Sequence, residues 1–87
     1  MTAKAKDTRA LRSEAQSLRP TVQIGKDGLT PQLAEELRKQ VKAKGLVKVR
    51  LNPSYQVDPK RAAVELSEVS SSDVVDIRGR TVVLSRR

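Results

Sequence analysis

Neither cysteine nor histidine occurs among the 87 residues. The chain therefore has no disulfide framework, no thiol nucleophile and no ordinary ligands for zinc or iron, and it lacks the side chain that most often serves as a general base near neutral pH. No cofactor is expected. Phenylalanine and tryptophan are also absent, and Tyr55 is the only aromatic. A mechanism that stacks several unpaired bases on rings has almost nothing to work with, so recognition must rest on phosphates and shape. The acidic residues are scattered, mostly beside basic ones, and form no paired carboxylates for acid–base work. These absences describe a binder and not an enzyme, with no small-molecule substrate. No apolar run approaches the ~20 residues that cross a bilayer, and the N-terminus lacks the apolar centre of a secretion signal. The expectation is a cytoplasmic protein with no membrane partner, acting as a monomer.

What is abundant is positive charge. Lysine and arginine number 18 against 10 aspartate and glutamate, a net charge of +8 with a sequence pI near 10.5. Such a balance favours a polyanionic partner, with nucleic acid the first candidate. The excess is unevenly placed. Residues 1–28, 29–45 and 46–61 carry +3, +2 and +3, while residues 62–87 are balanced at four basic and four acidic.

The most informative stretch is Ile24-Gly25-Lys26-Asp27-Gly28-Leu29-Thr30-Pro31, a glycine-bracketed basic loop between a short apolar run and a periodic helix. The two glycines let the main chain approach a ligand closely and aim its amides at it. Thr30 suits an N-cap and Pro31 the first helical position. The helix N-terminus adds a partial positive charge that suits phosphate. Asp-Gly is also a common turn dipeptide, but a tight hairpin would need a strand after Gly28. Leu29, Leu33, Leu37 and Val41 instead recur every four residues.

Local patterns order the remaining elements. Residues 1–7 read as a mobile basic arm and residues 8–87 as one domain. Leu11, Ala15 and Leu18 share a helical face from about Asp7 to Leu18, with Asp7 or Thr8 available as the cap. After Pro20, Thr21 to Ile24 alternates as a short strand. The second helix spans about Pro31 to Lys44 and stops at Gly45, with Glu35 and Lys39 spaced as a stabilising pair. Leu46 to Leu51 is a strand with Val47, Val49 and Leu51 on one side and Lys48 and Arg50 on the other. Asp58 and Pro59 open a third helix carrying Ala62, Leu66 and Val69. Ser70 to Ser72 form a polar break. Val74 to Ile77 and Thr81 to Leu84 then form a hairpin turned at Gly79, with Arg86 and Arg87 as a frayed end. Tyr55 could stack on a base or pack at the edge of the core, and packing is favoured. The order is helix-strand-helix-strand-helix-strand-strand. It predicts an α/β fold with a four-stranded mixed sheet packed with three helices, the first two strands being parallel neighbours.

Leu11-Arg12, Leu18-Arg19-Pro20, Val22 through Thr30, and Gly45-Leu46-Val47-Lys48-Val49-Arg50-Leu51 closely resemble the CRM domain (chloroplast RNA splicing and ribosome maturation). The similarity covers about residues 8–86 and is nearest to the single-domain prokaryotic, YhbY-like members. The resemblance implies a fold similar to the C-terminal domain of translation initiation factor three, a Gly-x-x-Gly loop like that of KH domains, and association with precursors of the large ribosomal subunit. RNA, specifically ribosomal RNA, is the partner it implies. Carried over by position, the RNA-binding loop falls on Gly25, Lys26, Asp27 and Gly28, and the basic surface on Arg12, Arg19, Lys48 and Arg50. Asp27 departs from a purely basic loop; it would brace the turn or cap the following helix.

Two other classes fit the same charge. A DNA-binding or chromatin-coating protein would use the terminal hairpin as a wing, with Arg78 and Arg80 on phosphate, although basic residues also protect sheet edges from unwanted pairing. A protein-interaction module would present the basic patch to an acidic partner.

Overall fold

The computed structural model describes residues 13–87. The N-terminal arm, the candidate caps Asp7 and Thr8, and Arg12 lie outside the described residues. The first helix, α1, is described at residues 13–16. It is followed by β1 (Val22–Ile24), α2 (Pro31–Lys44), β2 (Leu46–Leu51), α3 (Pro59–Ser70), β3 (Ser72–Arg78) and β4 (Thr81–Arg86).

The four strands form one mixed sheet in the order β1-β2-β4-β3. β1 runs parallel to β2, with Val22, Gln23 and Ile24 opposite Val49, Arg50 and Leu51. This is the geometry expected when a helix connects two neighbouring strands. β4 lies between β2 and β3 and is antiparallel to both. The third strand is longer than the sequence suggests and is bulged between Val74 and Asp76, which keeps Val75 on the α1 side of the sheet.

Strand alternation sends two sets of apolar residues to opposite faces. Val22, Ile24, Val47, Val49, Leu51, Val82 and Leu84 meet Leu37, Val41, Ala62, Ala63 and Leu66 of α2 and α3 in the main core. On the other face, Ala15 of α1 packs with Leu46, Val75 and Val83, joined by Leu18. Helices thus pack on both faces of the sheet. Leu37, Leu51, Leu66 and Leu84 have no more than 1% exposure. Truncating any one to alanine would cost about 2–5 kcal/mol, a large share of a small domain's stability.

The capping signals of α2 all operate. The Thr30 hydroxyl accepts from the Leu33 amide at 3.1 Å, and Pro31 takes the first turn. Gly45 ends the helix at φ 82°, with its amide donating to the Val41 carbonyl at 2.9 Å.

Asp58 and Pro59 open α3 as expected, with Asp58 at the N-cap position and no side-chain capping bond, while three other local readings are corrected. Glu35 and Lys39 do not close into an ion pair; the ion pairs among the described residues are Arg78–Asp76 and Arg87–Asp73. The polar break expected over Ser70 to Ser72 narrows to Ser71, because Ser70 ends α3 and Ser72 begins β3, both buried with their hydroxyls paired at 2.7 Å. Arg86 is not frayed: its amide donates to the Gly45 carbonyl at 2.8 Å and its guanidinium to the Lys42 carbonyl at 2.7 Å.

Candidate nucleic-acid interface

The Gly25–Gly28 loop leaves the C-terminal end of β1 and enters α2. A turn bond from the Gly28 amide to the Gly25 carbonyl, at 2.9 Å, closes it, and the Thr30 amide then donates to the Gly28 carbonyl at 3.1 Å. Gly28 has φ 73°, whereas Gly25 is not in the left-handed region. Only the second glycine is therefore required by backbone conformation. A Cβ at Gly25 would meet nothing within 4 Å, so its missing side chain leaves open space beside the loop.

The loop closes on itself without using all its donors. No described residue accepts from the amides of Lys26, Asp27 or Gln32. Gln32 is the second residue of α2, where such an amide points out along the helix axis. These donors border a groove of about 350 Å³ lined in part by Gly25, Lys26, Asp27, Gly28, Gln32 and Glu36. Asp27 is exposed and makes no bond to a described residue; Thr30 alone caps the helix. Glu36 accepts from Gln40 at 3.0 Å, and Gln40 in turn accepts from Thr21 at 2.7 Å. With one lysine and two carboxylates, the groove is suited to anions through its backbone donors and not through net side-chain charge.

Beneath the loop lies Tyr55, 8% exposed and part of the main core. The sole aromatic is thus a packing residue. Burial, reinforced by the negative charge of Glu65 and hydrogen bonding to it, raises the phenol above the ordinary value of 10.0. The segment carrying Tyr55 is fixed by Arg80, whose Nε donates to the Leu51 carbonyl at 3.1 Å and whose Nη2 donates to the carbonyls of Asn52 and Tyr55. Arg80 and Tyr55 therefore connect the β3–β4 turn to the Gly-x-x-Gly loop. The sequence placed Arg80 on the surface because nothing local reveals three carbonyls 25 to 29 residues away.

The four basic positions implied by the family resemblance separate in the structure. Arg12 is outside the described residues. Arg19 is exposed on the segment after α1. Arg50 is exposed on the α1 side of the sheet, in a row with Gln23, Thr81 and Arg78. Lys48, two residues earlier on the same face, is half-buried. Its Nζ donates to the carbonyls of Ala15 and Leu18 at 3.1 and 3.2 Å. It neutralises the end of α1, where basic groups are stabilising. The hairpin reading meets similar internal bonds: Arg78 pairs with Asp76 at 3.0 Å, Arg80 turns inward, and β4 is an interior strand. The hairpin does not project as a wing.

A second basic cluster, unmarked in the sequence reading, lies at the far end of α2, where Arg38 and Lys42 approach Arg86 around a cleft of about 510 Å³. Its signal was an i, i+4 pair of cations, Arg38 and Lys42; the third cation comes from the end of β4.

Comparison with known proteins gives a consistent set of likenesses. The profile of the CRS1 / YhbY (CRM) domain matches residues 4–86. A Bacillus subtilis (strain 168) protein named "Probable RNA-binding protein YqeI" is 33% identical over 79 residues, covering 91% of this chain and 82% of that one. The solution structure of SAV1595 from Staphylococcus aureus, whose assignment as an RNA binding protein is provisional, superposes with a TM-score of 0.79. It is 30% identical, covering 94% of this chain and 85% of that chain.

Proposed function

The chain belongs to the CRS1 / YhbY (CRM) domain family, and on that footing we propose that it is a non-enzymatic RNA-binding module that holds structured ribosomal RNA during assembly of the large ribosomal subunit. The observation that carries the reading is the set of unbonded amides of Lys26, Asp27 and Gln32 around the Gly-x-x-Gly groove. Backbone amides at a helix N-terminus hold phosphate without reading sequence, which suits a ligand recognised by its fold. Lys26 adds a charge at the tip, and Arg19 and Arg50 extend the contact. Lys48 acts behind them by holding α1 to the sheet. The names of the two relatives support RNA as the ligand class; the ribosomal target comes from the family resemblance.

The test is competitive binding at near-physiological salt, with labelled structured ribosomal RNA against duplex DNA of equal charge. Gly25→Asp is the informative variant, because position 25 has open space and needs no positive φ. The expected result is preference for RNA in the parent and loss of that preference in the variant. Equal competition by the two ligands, unaltered by Gly25→Asp, would reduce the binding to the generic attraction of a +8 protein for polyanions.

A further inference from the structure

The groove at the Gly-x-x-Gly loop holds one cation and two carboxylates among its lining residues. The cleft at the other end of α2 has the opposite character. Among the described residues, Arg38, Val41, Lys42, Ser70, Ser71 and Arg86 line about 510 Å³, with three cations and no carboxylate. All three cations are exposed, and none forms an ion pair with a described residue. Arg86 is held in position by its bond to the Lys42 carbonyl at 2.7 Å and by packing at Gly45, where a Cβ would meet Nη2 at 3.6 Å. That bond also covers a terminal carbonyl of α2, whose negative end would otherwise oppose an anion. A basic last turn stabilises a helix, which accounts for Lys42 and Lys44. It does not account for Arg38, one turn earlier, or for a lining free of carboxylates.

We propose that this cleft is a second phosphate-binding site, formed by Arg38, Lys42 and Arg86, that engages the same RNA as the Gly-x-x-Gly loop. The inference rests on the RNA-binding reading above and adds a footprint to it. Twelve residues separate Thr30 from Lys42, so the two sites lie about 18 Å apart along the helix axis. The loop supplies oriented backbone donors and fixes where a phosphate sits, while the cleft supplies most of the local charge. An RNA must be long enough to reach both ends of α2 to gain from the second site.

The experiment measures the salt dependence of RNA affinity for the parent, for Arg38→Ala/Lys42→Ala, and for Lys60→Ala/Arg61→Ala as a control of equal charge loss at the start of α3. Arg86 is left intact because it joins β4 to α2. Each protein is titrated with a trinucleotide, too short to reach both ends of α2, and with an RNA hairpin of about ten base pairs, whose A-form duplex is longer than the ~18 Å between the sites. Alanine is favourable at both exposed helical positions, and circular dichroism checks that the fold is retained. With the hairpin, the α2 double variant is expected to reduce the log–log salt slope by about 1.8, at roughly 0.9 per phosphate contact on a duplex. With the trinucleotide it leaves the slope unchanged, and the α3 control has less than half the effect on the hairpin. An unaltered hairpin slope in the α2 variant overturns the proposal, as does an equal loss in the α3 control. Gly25→Asp, measured in parallel, keeps the two readings distinct. If Gly25→Asp abolishes binding while the α2 variant does nothing, the second site fails and the loop reading stands. If the α2 variant lowers the slope while Gly25→Asp does nothing, the cleft stands and the loop reading fails.

Discussion

Gly28 lies against the ring of Tyr55: a Cβ at position 28 would meet Cε1 at 3.4 Å and Cδ1 at 3.9 Å, on a backbone whose φ is 73°. The two glycines of the loop therefore have different physical roles. Gly28→Ala places an L-residue in the left-handed region and presses on a buried ring, with an expected loss of roughly 1–2 kcal/mol. Each kcal/mol lowers the Tm of a domain this size by about 4–8 °C. Gly25→Ala meets open space without a positive φ and is expected to change stability by less than about 0.5 kcal/mol. Thermal unfolding by circular dichroism compares the two, and equal destabilisation would contradict this division.

Because Tyr55 is the only aromatic in the chain, the ultraviolet absorbance of tyrosinate reports one site beneath the loop. Burial raises its pKa above 10.0, with the charge of Glu65 and a hydrogen bond to it acting in the same direction. The folded state thus holds this proton more tightly than the unfolded chain. Its contribution to stability is complete below about pH 10 and is lost as the pH rises through the folded value. Glu65→Gln is expected to move the titration downward while leaving it above that of a free phenol, since desolvation remains. An ordinary titration in the parent protein would show that the ring is not enclosed as described.

The caps of α2 and the parallel pairing of β1 with β2 were legible because each depends on a few neighbouring residues. Thr30, Pro31 and Gly45 act within one turn of where they stand, and a helical connection sets the strand direction. Lys48 and Arg50 show where local reading ends. They are equivalent by alternation and differ only in where α1 docks, through carbonyls 33 and 30 residues before Lys48. Ser70 and Ser72 look like a polar linker until the end of α3 and the start of β3 enclose both hydroxyls. The loop was identifiable as a glycine-bracketed corner, but the unequal demands on Gly25 and Gly28 follow from Tyr55, 27 residues beyond Gly28. The Arg38–Lys42–Arg86 cluster needs β4 to reach the end of α2 before it exists.

The structure separates the two cations of the β2 stripe experimentally. Lys48→Ala removes an ammonium shared by the Ala15 and Leu18 carbonyls, and is expected to cost about 1–3 kcal/mol while leaving the RNA salt slope unchanged. Arg50 is exposed; Arg50→Ala is expected to leave stability within about 0.5 kcal/mol and to reduce the slope by roughly 0.7–0.9, the value of one phosphate contact on single-stranded or duplex RNA. Chemical denaturation and salt-dependent binding on the same two variants check both expectations. A reduced slope for Lys48→Ala would mean that its ammonium leaves α1 to reach RNA.

Arg80 provides the sharpest contrast between a basic residue that binds and one that positions. Its guanidinium joins the β3–β4 turn to the carbonyls of Leu51, Asn52 and Tyr55, and Tyr55 in turn supports Gly28. Arg80→Ala removes three donations to main-chain carbonyls at once, an expected loss of roughly 2–3 kcal/mol. Arg80→Lys is expected to recover less than half of it, because a compact ammonium cannot reproduce a planar fork aimed at several acceptors. In either variant the NMR amide resonances of Gly25 to Gly28 should shift, since the support under the loop has changed, while those at Gly45 and Arg86 should not. RNA affinity should weaken with the salt slope unchanged, because no phosphate contact has been removed. If Arg80→Ala instead lowers the slope as much as Arg50→Ala and leaves the Tm intact, the guanidinium must leave its carbonyls to bind nucleic acid. The terminal hairpin would then regain its claim as the binding element.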